Sequence, residues 1–202
     1  LTAPDGALLA ERGTSLIWSP RSNISLYGHT APVTMLANQG VNIGIGTDWT
    51  ASGSINMSRE LACADQLNQD HYGRRFTDRQ LWLMATRNNA VALAVDDAIG
   101  SLREGLAADI AIFAPAAGQD PYRAVIEATP GTTALVLRSG TPLYGDANLL
   151  PSLPESQGCE DIGDVCGTTK HACTRREISR DILTLRAANA ESYELFFCGV
   201  PE

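Results

Sequence analysis

The segment Gly40-Val41-Asn42-Ile43-Gly44-Ile45-Gly46-Thr47-Asp48 carries a run of β-branched residues up to a single carboxylate. Val41, Ile43 and Ile45 suit a packed strand, while Gly44 and Gly46 admit close neighbours or a turn. Asp48 then lies just past the strand's C-terminal end, where α/β sheets and barrels assemble their chemistry. A carboxylate there can accept a proton or ligate a cation; it can equally cap the following turn. Upstream, Arg21, Ser22 and Asn23 place a guanidinium, a hydroxyl and an amide in one short stretch, read as the loop Ser19–Asn23. Ser22 and Asn23 make this stretch rich in hydrogen-bonding groups and can close an Asx-type turn on themselves. Arg21 meets an anionic group or serves the surface. Trp49 packs on its loop or stacks on a substrate, and packing is the expectation. Thr47 and Ser52 are expected to bond within their own loop.

The other candidates for chemistry are scattered. His29, His71 and His171 lie in polar stretches and read as exposed or structural. Cys159, Cys166, Cys173 and Cys198 fall in the last 44 residues without a C-x-x-C pair, so zinc-ribbon spacing is absent. They suit one or two disulfides. Cys63 sits among apolar helix residues and reads as a small buried hydrophobe.

The elements that must position these residues follow from periodicity and caps. Residues 4–12 read as a helix with Leu8 and Leu9 inward, and 15–18 as a short strand. Residues 30–39 read as a helix burying Val33, Leu36 and Ala37, followed by the strand 41–46. Strand, helix and strand in about thirty residues is the rhythm of a parallel sheet. Asn56 caps a helix to about residue 68, with a polar loop over 66–75. Thr77-Asp78-Arg79-Gln80 is a capping box opening a helix that buries Leu81, Met84 and Ala85. A short helix over 86–94 carries Ala90, Val91, Leu93 and Ala94. Beyond residue 96 the elements turn to short strands: 100–105, 108–113, 132–137 and 141–144, with a helix after Asp120-Pro121. Residues 159–173 read as irregular, 175–188 as one helix with Ile178, Ile182 and Leu185 inward, and 194–199 as a last strand.

Composition sets bounds. At 44% hydrophobic over 202 residues the chain can bury a sizeable core. A net charge of −8 argues against nonspecific binding to nucleic acid or an anionic membrane surface. No run approaches the roughly 18 apolar residues that span a bilayer.

Four motifs occur in order: Ser19-Pro20-Arg21-Ser22-Asn23, Gly44-Ile45-Gly46-Thr47-Asp48, Thr86-x-Asn88-x-Ala90, and Ile99-Gly100-Ser101-Leu102-x-x-Gly105-x-x-Ala108-Asp109. Together they resemble the C-terminal part of the metal-dependent amidohydrolase superfamily, in the branch of cytosine deaminase, guanine deaminase and the triazine chlorohydrolases. The resemblance covers residues 1 to about 145. It implies an α/β fold: the C-terminal part of a (β/α)8 TIM-like barrel, its last two strands and helices, with part of a small β-sandwich and a Cys-containing tail. Domain limits follow as 1–95 for the barrel segment, 96–146 for the sandwich share and 147–202 for the extension.

The same resemblance gives Asp48 a role as metal contact and catalytic proton acceptor, toward the metal or its bound water. Ser22 and Asn23, with Arg21 and Trp49, become substrate-binding candidates. The cofactor implied is a divalent metal, zinc first, iron or manganese as alternatives. The other metal ligands of the family would lie upstream of Leu1, so the chain, which does not begin on Met, is expected to be a piece of a longer protein. Its partners would be a small-molecule substrate and the missing N-terminal part, with a homo-oligomer as a further option. The function implied is hydrolysis of carbon–nitrogen bonds, as an amidohydrolase or deaminase of a small cyclic substrate; the alternative is a non-catalytic binding or scaffold module or an inactive truncated homologue. Two strands of a barrel would leave an edge and apolar faces open, so this chain is not expected to fold alone as a stable monomer. The cysteine tail favours export over the cytosol.

Overall fold

The structure is a computed structural model, and it describes residues 1–191 and 194–199. The described residues divide into two compact units, one of 1–106 with 125–127, the other of 107–124 with 128–191 and 194–199.

In the first unit α1 (Ala3–Glu11) leads to β1 (Leu16–Trp18), and α2 (Pro20–Tyr27) and α3 (Val33–Asn38) lead to β2 (Ile43–Ile45). Strands β1 and β2 pair in parallel, Leu16 opposite Ile43 and Trp18 opposite Ile45. Helices α4 (Met57–Asp70), α5 (Asp78–Ala85) and α6 (Arg87–Ala92) follow. Alternation along the strands sends Trp18, Ile43 and Ile45 into a core with Val33, Leu36, Leu61, Phe76 and Leu81. Ile17 points to the opposite face, beside Gly44 and Gly46, and stays 50% exposed.

The glycines of β2 are required by neighbours. A Cβ on Gly44 would stand 1.9 Å from Asn89 Oδ1, and one on Gly46 2.8 Å from Ile17 Cγ2. Helix α6 fastens β2 through side-chain amides: Asn88 Nδ2 donates to the Ile43 carbonyl and Asn89 Nδ2 to the Ile45 carbonyl, each at 2.8 Å. Gly100, at φ +85°, fits against Ala90, where a Cβ would come within 2.5 Å of the alanine methyl. Arg87 reaches Ser101 Oγ at 3.2 Å and Asp96 at 3.0 Å. The motif Thr86-x-Asn88-x-Ala90 thus clamps the strand and receives the Gly100-Ser101 turn.

Several expectations change in this unit. The stretch Ser19–Asn23 is not a loop: Pro20 stands at the first position of α2, where its missing N–H costs nothing. Helix α4 runs to Asp70, so the polar loop begins five residues later than expected. Residues 100–105 form turns without a strand, and Leu102 is 81% exposed. Leu8, expected inward, faces outward, because short helices bury only a narrow stripe; Val91 and Leu93 are exposed as well. Cys63 is half-buried rather than enclosed.

The second unit is an antiparallel sheet. Its strands are β3 (Ile110–Phe113), β4 (Thr133–Arg138), β5 (Thr141–Asp146), β6 (Glu160–Val165) and β7 (Thr168–Ala172), in the order β3-β4-β5-β7-β6. Between β3 and β4 lies α7 (Pro121–Ile126), started by Asp120, whose carboxylate accepts the Tyr122 and Arg123 N–H groups. The stretch expected to be irregular, 159–173, holds the hairpin β6–β7. Two disulfides brace it: Cys159–Cys173 across its open end, and Cys166–Cys198 from its turn to the tail. Ile162, Val165, Ala172 and Ile182 form a small core there with Leu195 and Phe196. The expected single helix is two, α8 (Thr174–Ile178) and α9 (Ile182–Asn189), broken at Ser179 with φ +56°. Ile178 is therefore exposed. Residues 194–199 are not a strand.

Lys170, on β7, is fully buried. Its ammonium pairs with Asp146 and donates to the Thr133 carbonyl at 2.9 Å, 5.6 Å from the Tyr144 ring centre. Burial, with Asp146 adding to it, pushes the Tyr144 phenol far up, and its hydroxyl donates to the Pro130 carbonyl at 2.8 Å.

Candidate functional site

Strands β1 and β2 release their chains at the same end. The Gly46 N–H donates to the Trp18 carbonyl at 2.9 Å, which holds the two exits in register. From one exit comes α2, from the other the loop 47–55. That loop closes on itself: the Ser54 N–H donates to the Thr47 carbonyl at 3.0 Å, and the Gly53 N–H to the Trp49 carbonyl at 2.6 Å. Gly53 must be glycine, since a Cβ would fall 1.9 Å from Thr47 O.

Asp48 stands at the mouth of this loop with φ +56°, a left-handed conformation that non-glycine residues seldom adopt. Aspartate tolerates it through a local bond, here Trp49 N–H to Asp48 Oδ1 at 2.8 Å. Asp48 Oδ2 accepts the Ser22 hydroxyl at 2.5 Å. That hydroxyl, followed by the Trp49 N–H, holds the carboxyl below its ordinary range. Asp48 is exposed, ionised and aimed by two donors.

The neighbouring residues divide their work. Ser22 is fully buried and also lies 3.1 Å from Ser52 Oγ, so Ser52 reaches α2 instead of bonding only within its loop. Asn23, one position further round the helix, turns to a different partner: its Oδ1 accepts the Thr30 hydroxyl at 3.1 Å, and Thr30 Oγ1 accepts the Trp18 indole N–H at 2.6 Å. The Ser-Asn pair is thereby split between the Asp48 carboxylate and the strand core. Arg21 donates from Nε to Ser54 Oγ at 2.9 Å, which binds α2 to the loop. Trp49 does not pack: its side chain is 72% exposed beside the carboxylate, because the 49–53 turn directs it outward.

Two residues of this constellation escape a reading by motif, Ser54 and Glu60. Both are buried. Glu60 Oε1 accepts the Arg21 backbone N–H at 3.0 Å, across 39 residues, and its Oε2 makes no hydrogen bond among the described residues. Burial pushes its carboxyl up, opposed by the Ser54 hydroxyl, the Arg21 N–H and the Arg21 charge. In the sequence Glu60 reads as an acid in the first turn of α4, which hides its tertiary partners.

A cavity of 290 Å³ lies elsewhere in this unit, lined by Val41, Asn42, Ile43, Arg75, Met84 and Asn88. These residues surround the start of β2, the end opposite Asp48. His29 and His71 are exposed and His171 lies on β7; Asp48 accepts its hydrogen bonds from Ser22 and Trp49. Among the described residues no group of three His, Cys, Asp or Glu side chains could hold a metal ion. Asp48, an oxygen donor with a lowered pKa, fits one position of a divalent-metal site and not a complete one.

The model for the family described as "Amidohydrolase family" matches residues 2–143, ending inside β5. A 5-methylthioadenosine/S-adenosylhomocysteine deaminase of Teredinibacter turnerae is 38% identical over 112 residues, covering 54% of this chain and 25% of that protein. The deaminase of the same name from Nitratidesulfovibrio vulgaris is 36% identical over 155 residues, covering 72% of this chain and 35% of that protein. Among solved structures, an adenosine deaminase from Xanthomonas campestris with bound zinc superposes with a TM-score of 0.65 at 28% identity, over 70% of this chain and 34% of that one. The chain spans about a quarter to a third of the length of these relatives.

Proposed function

The chain belongs to the amidohydrolase family and has its α/β, TIM-barrel type of fold, and from that premise we propose that it is the C-terminal part of a metal-dependent deaminase. In this reading β1 and β2 are the seventh and eighth barrel strands, and residues 96–146 the C-terminal share of a β-sandwich. The reaction is hydrolysis of an exocyclic C–N bond on a small cyclic substrate, with an aminopurine nucleoside as the first class to try. The names of the deaminase relatives support that class. The observation that carries the proposal is the Asp48 carboxylate, held by the Ser22 hydroxyl past the C-terminal end of β2.

A divalent ion, zinc by likeness to the Xanthomonas structure, would supply Lewis acidity and lower the pKa of a water toward neutrality. Asp48 would hold it from this chain. Asp48 also takes the proton of the attacking water, since it is ionised at neutral pH and both its oxygens are oriented by donors. Ser22 keeps the carboxylate's direction fixed. Trp49, exposed next to it, offers a ring face to a flat substrate, and Arg21 ties the loop that carries both. The remaining ligands are assigned to the rest of the complete protein. The disulfide-braced hairpin supports an exported protein, since such pairs persist in oxidising compartments.

The test is made on the complete protein. Ammonia release from adenosine-type nucleosides, with a divalent metal measured in the same preparation, is the expected result. Tight binding of such nucleosides without ammonia release would instead favour a binding module.

A further inference from the structure

We propose that Glu60 is the positioning residue of this site: as a buried carboxylate on α4 it caps α2 from outside and thereby sets the Ser22 hydroxyl on Asp48. The inference rests on the deaminase reading for its activity arm only.

The N-terminus of α2 lacks the usual local cap. Ser19, its N-cap residue, makes no side-chain cap bond, and Pro20 has no N–H to satisfy. The next donor, the Arg21 N–H, is met instead by Glu60 Oε1 at 3.0 Å. A negative group at that place also complements the helix dipole. Such an arrangement is costly to build. Glu60 is fully buried, and a carboxylate is seldom enclosed without several partners. Its second oxygen has no hydrogen-bond partner among the described residues. A purely packing position would be served better by an apolar side chain.

The geometry downstream shows what the cost achieves. Arg21 is one residue before Ser22, so fixing the Arg21 backbone fixes the origin of the Ser22 side chain. Arg21 Nε meanwhile holds Ser54 at 2.9 Å, and Ser54 closes the Asp48 loop through its N–H on Thr47. Glu60 therefore determines where the helix that bears Ser22 stands relative to the loop that bears Asp48. The Ser22–Asp48 bond at 2.5 Å leaves little tolerance, and misplacement by about 1 Å can cost on the order of a hundredfold in rate.

The experiment compares Glu60→Gln and Glu60→Asp in the complete enzyme, by steady-state kinetics and by hydrogen exchange of the Arg21 amide. Glutamine keeps an acceptor at the same reach; aspartate keeps the charge but withdraws it by one methylene. The expected result is a kcat about tenfold or more lower in Glu60→Asp with KM unchanged. The Arg21 amide should exchange faster in that variant, and Glu60→Gln should restore most of both losses. Equal kcat in Glu60→Asp and wild type, or equal losses in both variants, would overturn the proposal. An unprotected Arg21 amide in the wild type would overturn it without any variant. If the wild type releases no ammonia from any nucleoside, the deaminase reading fails, while the exchange comparison still decides the role of Glu60.

Discussion

The Ser22 hydroxyl donates to the Asp48 carboxylate at 2.5 Å, joining α2 to the loop beyond β2 across 26 residues of sequence. A hydrogen bond to a charged group is shorter and stronger than one between neutral groups, and this one fixes the direction of the carboxylate. Ser22→Ala should therefore lower kcat of the complete enzyme by roughly ten- to a hundredfold. It should also raise the Asp48 pKa toward the ordinary range, since Ser22 is the first cause of its depression. Kinetics together with a carboxylate titration followed by NMR would check both.

Trp49→Ala separates binding from folding. The ring is 72% exposed, so its loss should change stability by no more than about 0.5 kcal/mol. If the ring meets the substrate, KM rises while the melting temperature stays in place. An unchanged KM would remove Trp49 from the pocket.

Glu60 gives a pH signature. Its folded pKa is raised above the ordinary 4.5, with burial as the first cause. The folded state then holds a proton that the unfolded state has released, so this residue's contribution improves as pH falls from the folded value toward 4.5. Arg21, Asp48 and Cys63 are the charged or titratable groups coupled to it. Denaturant midpoints of wild type and Glu60→Gln, measured from neutral pH downward, should converge as pH falls. A difference that stays constant with pH would contradict the raised pKa.

The hairpin of the second unit should depend on oxidation. The Cys159–Cys173 bridge closes a separation of 14 residues, for which chain entropy suggests about 3 kcal/mol. Replacing both cysteines by serine should loosen β6 and β7 in hydrogen exchange and leave β1 and β2 as they were. Under non-reducing conditions, alkylation should label Cys63 and spare the other four.

Local signals in the sequence located most of the first unit. The Thr77–Gln80 capping box starts α5, with Gln80 Oε1 accepting the Thr77 N–H at 2.9 Å, and Asn56 caps α4. These devices act within three or four residues, so they are readable without a fold. Helix α2 was not readable in this way: Ser19-Pro20-Arg21-Ser22-Asn23 has the composition of a turn, and the carboxylate that caps it comes from 39 residues away. The hairpin β6–β7 was hidden for a related reason. Asp161, Asp164, Lys170 and His171 interrupt the apolar alternation of a strand, and Lys170 is admitted to the interior only by Asp146 and the Thr133 carbonyl. At the site, Asp48 and Ser22 stand out by position and type. Glu60 and Ser54 matter through tertiary contacts that no short motif encodes.

Exposed apolar residues bear on whether the chain stands by itself. Ile17, Leu26 and Tyr27 are 50, 57 and 65% exposed in the first unit. The 202 residues expressed alone should therefore aggregate or associate; a soluble monomer with one sharp melting transition would argue against the barrel-segment reading.

The central claim is that Asp48 accepts the proton in the reaction. Asparagine in its place keeps the shape and an oxygen acceptor for Ser22 but removes the base. The decisive measurement is kcat of Asp48→Asn in the complete enzyme, with melting temperature read alongside. Turnover reduced by about a thousandfold or more, at an unchanged melting temperature, is the predicted result. A kcat near that of the wild type would contradict the assignment.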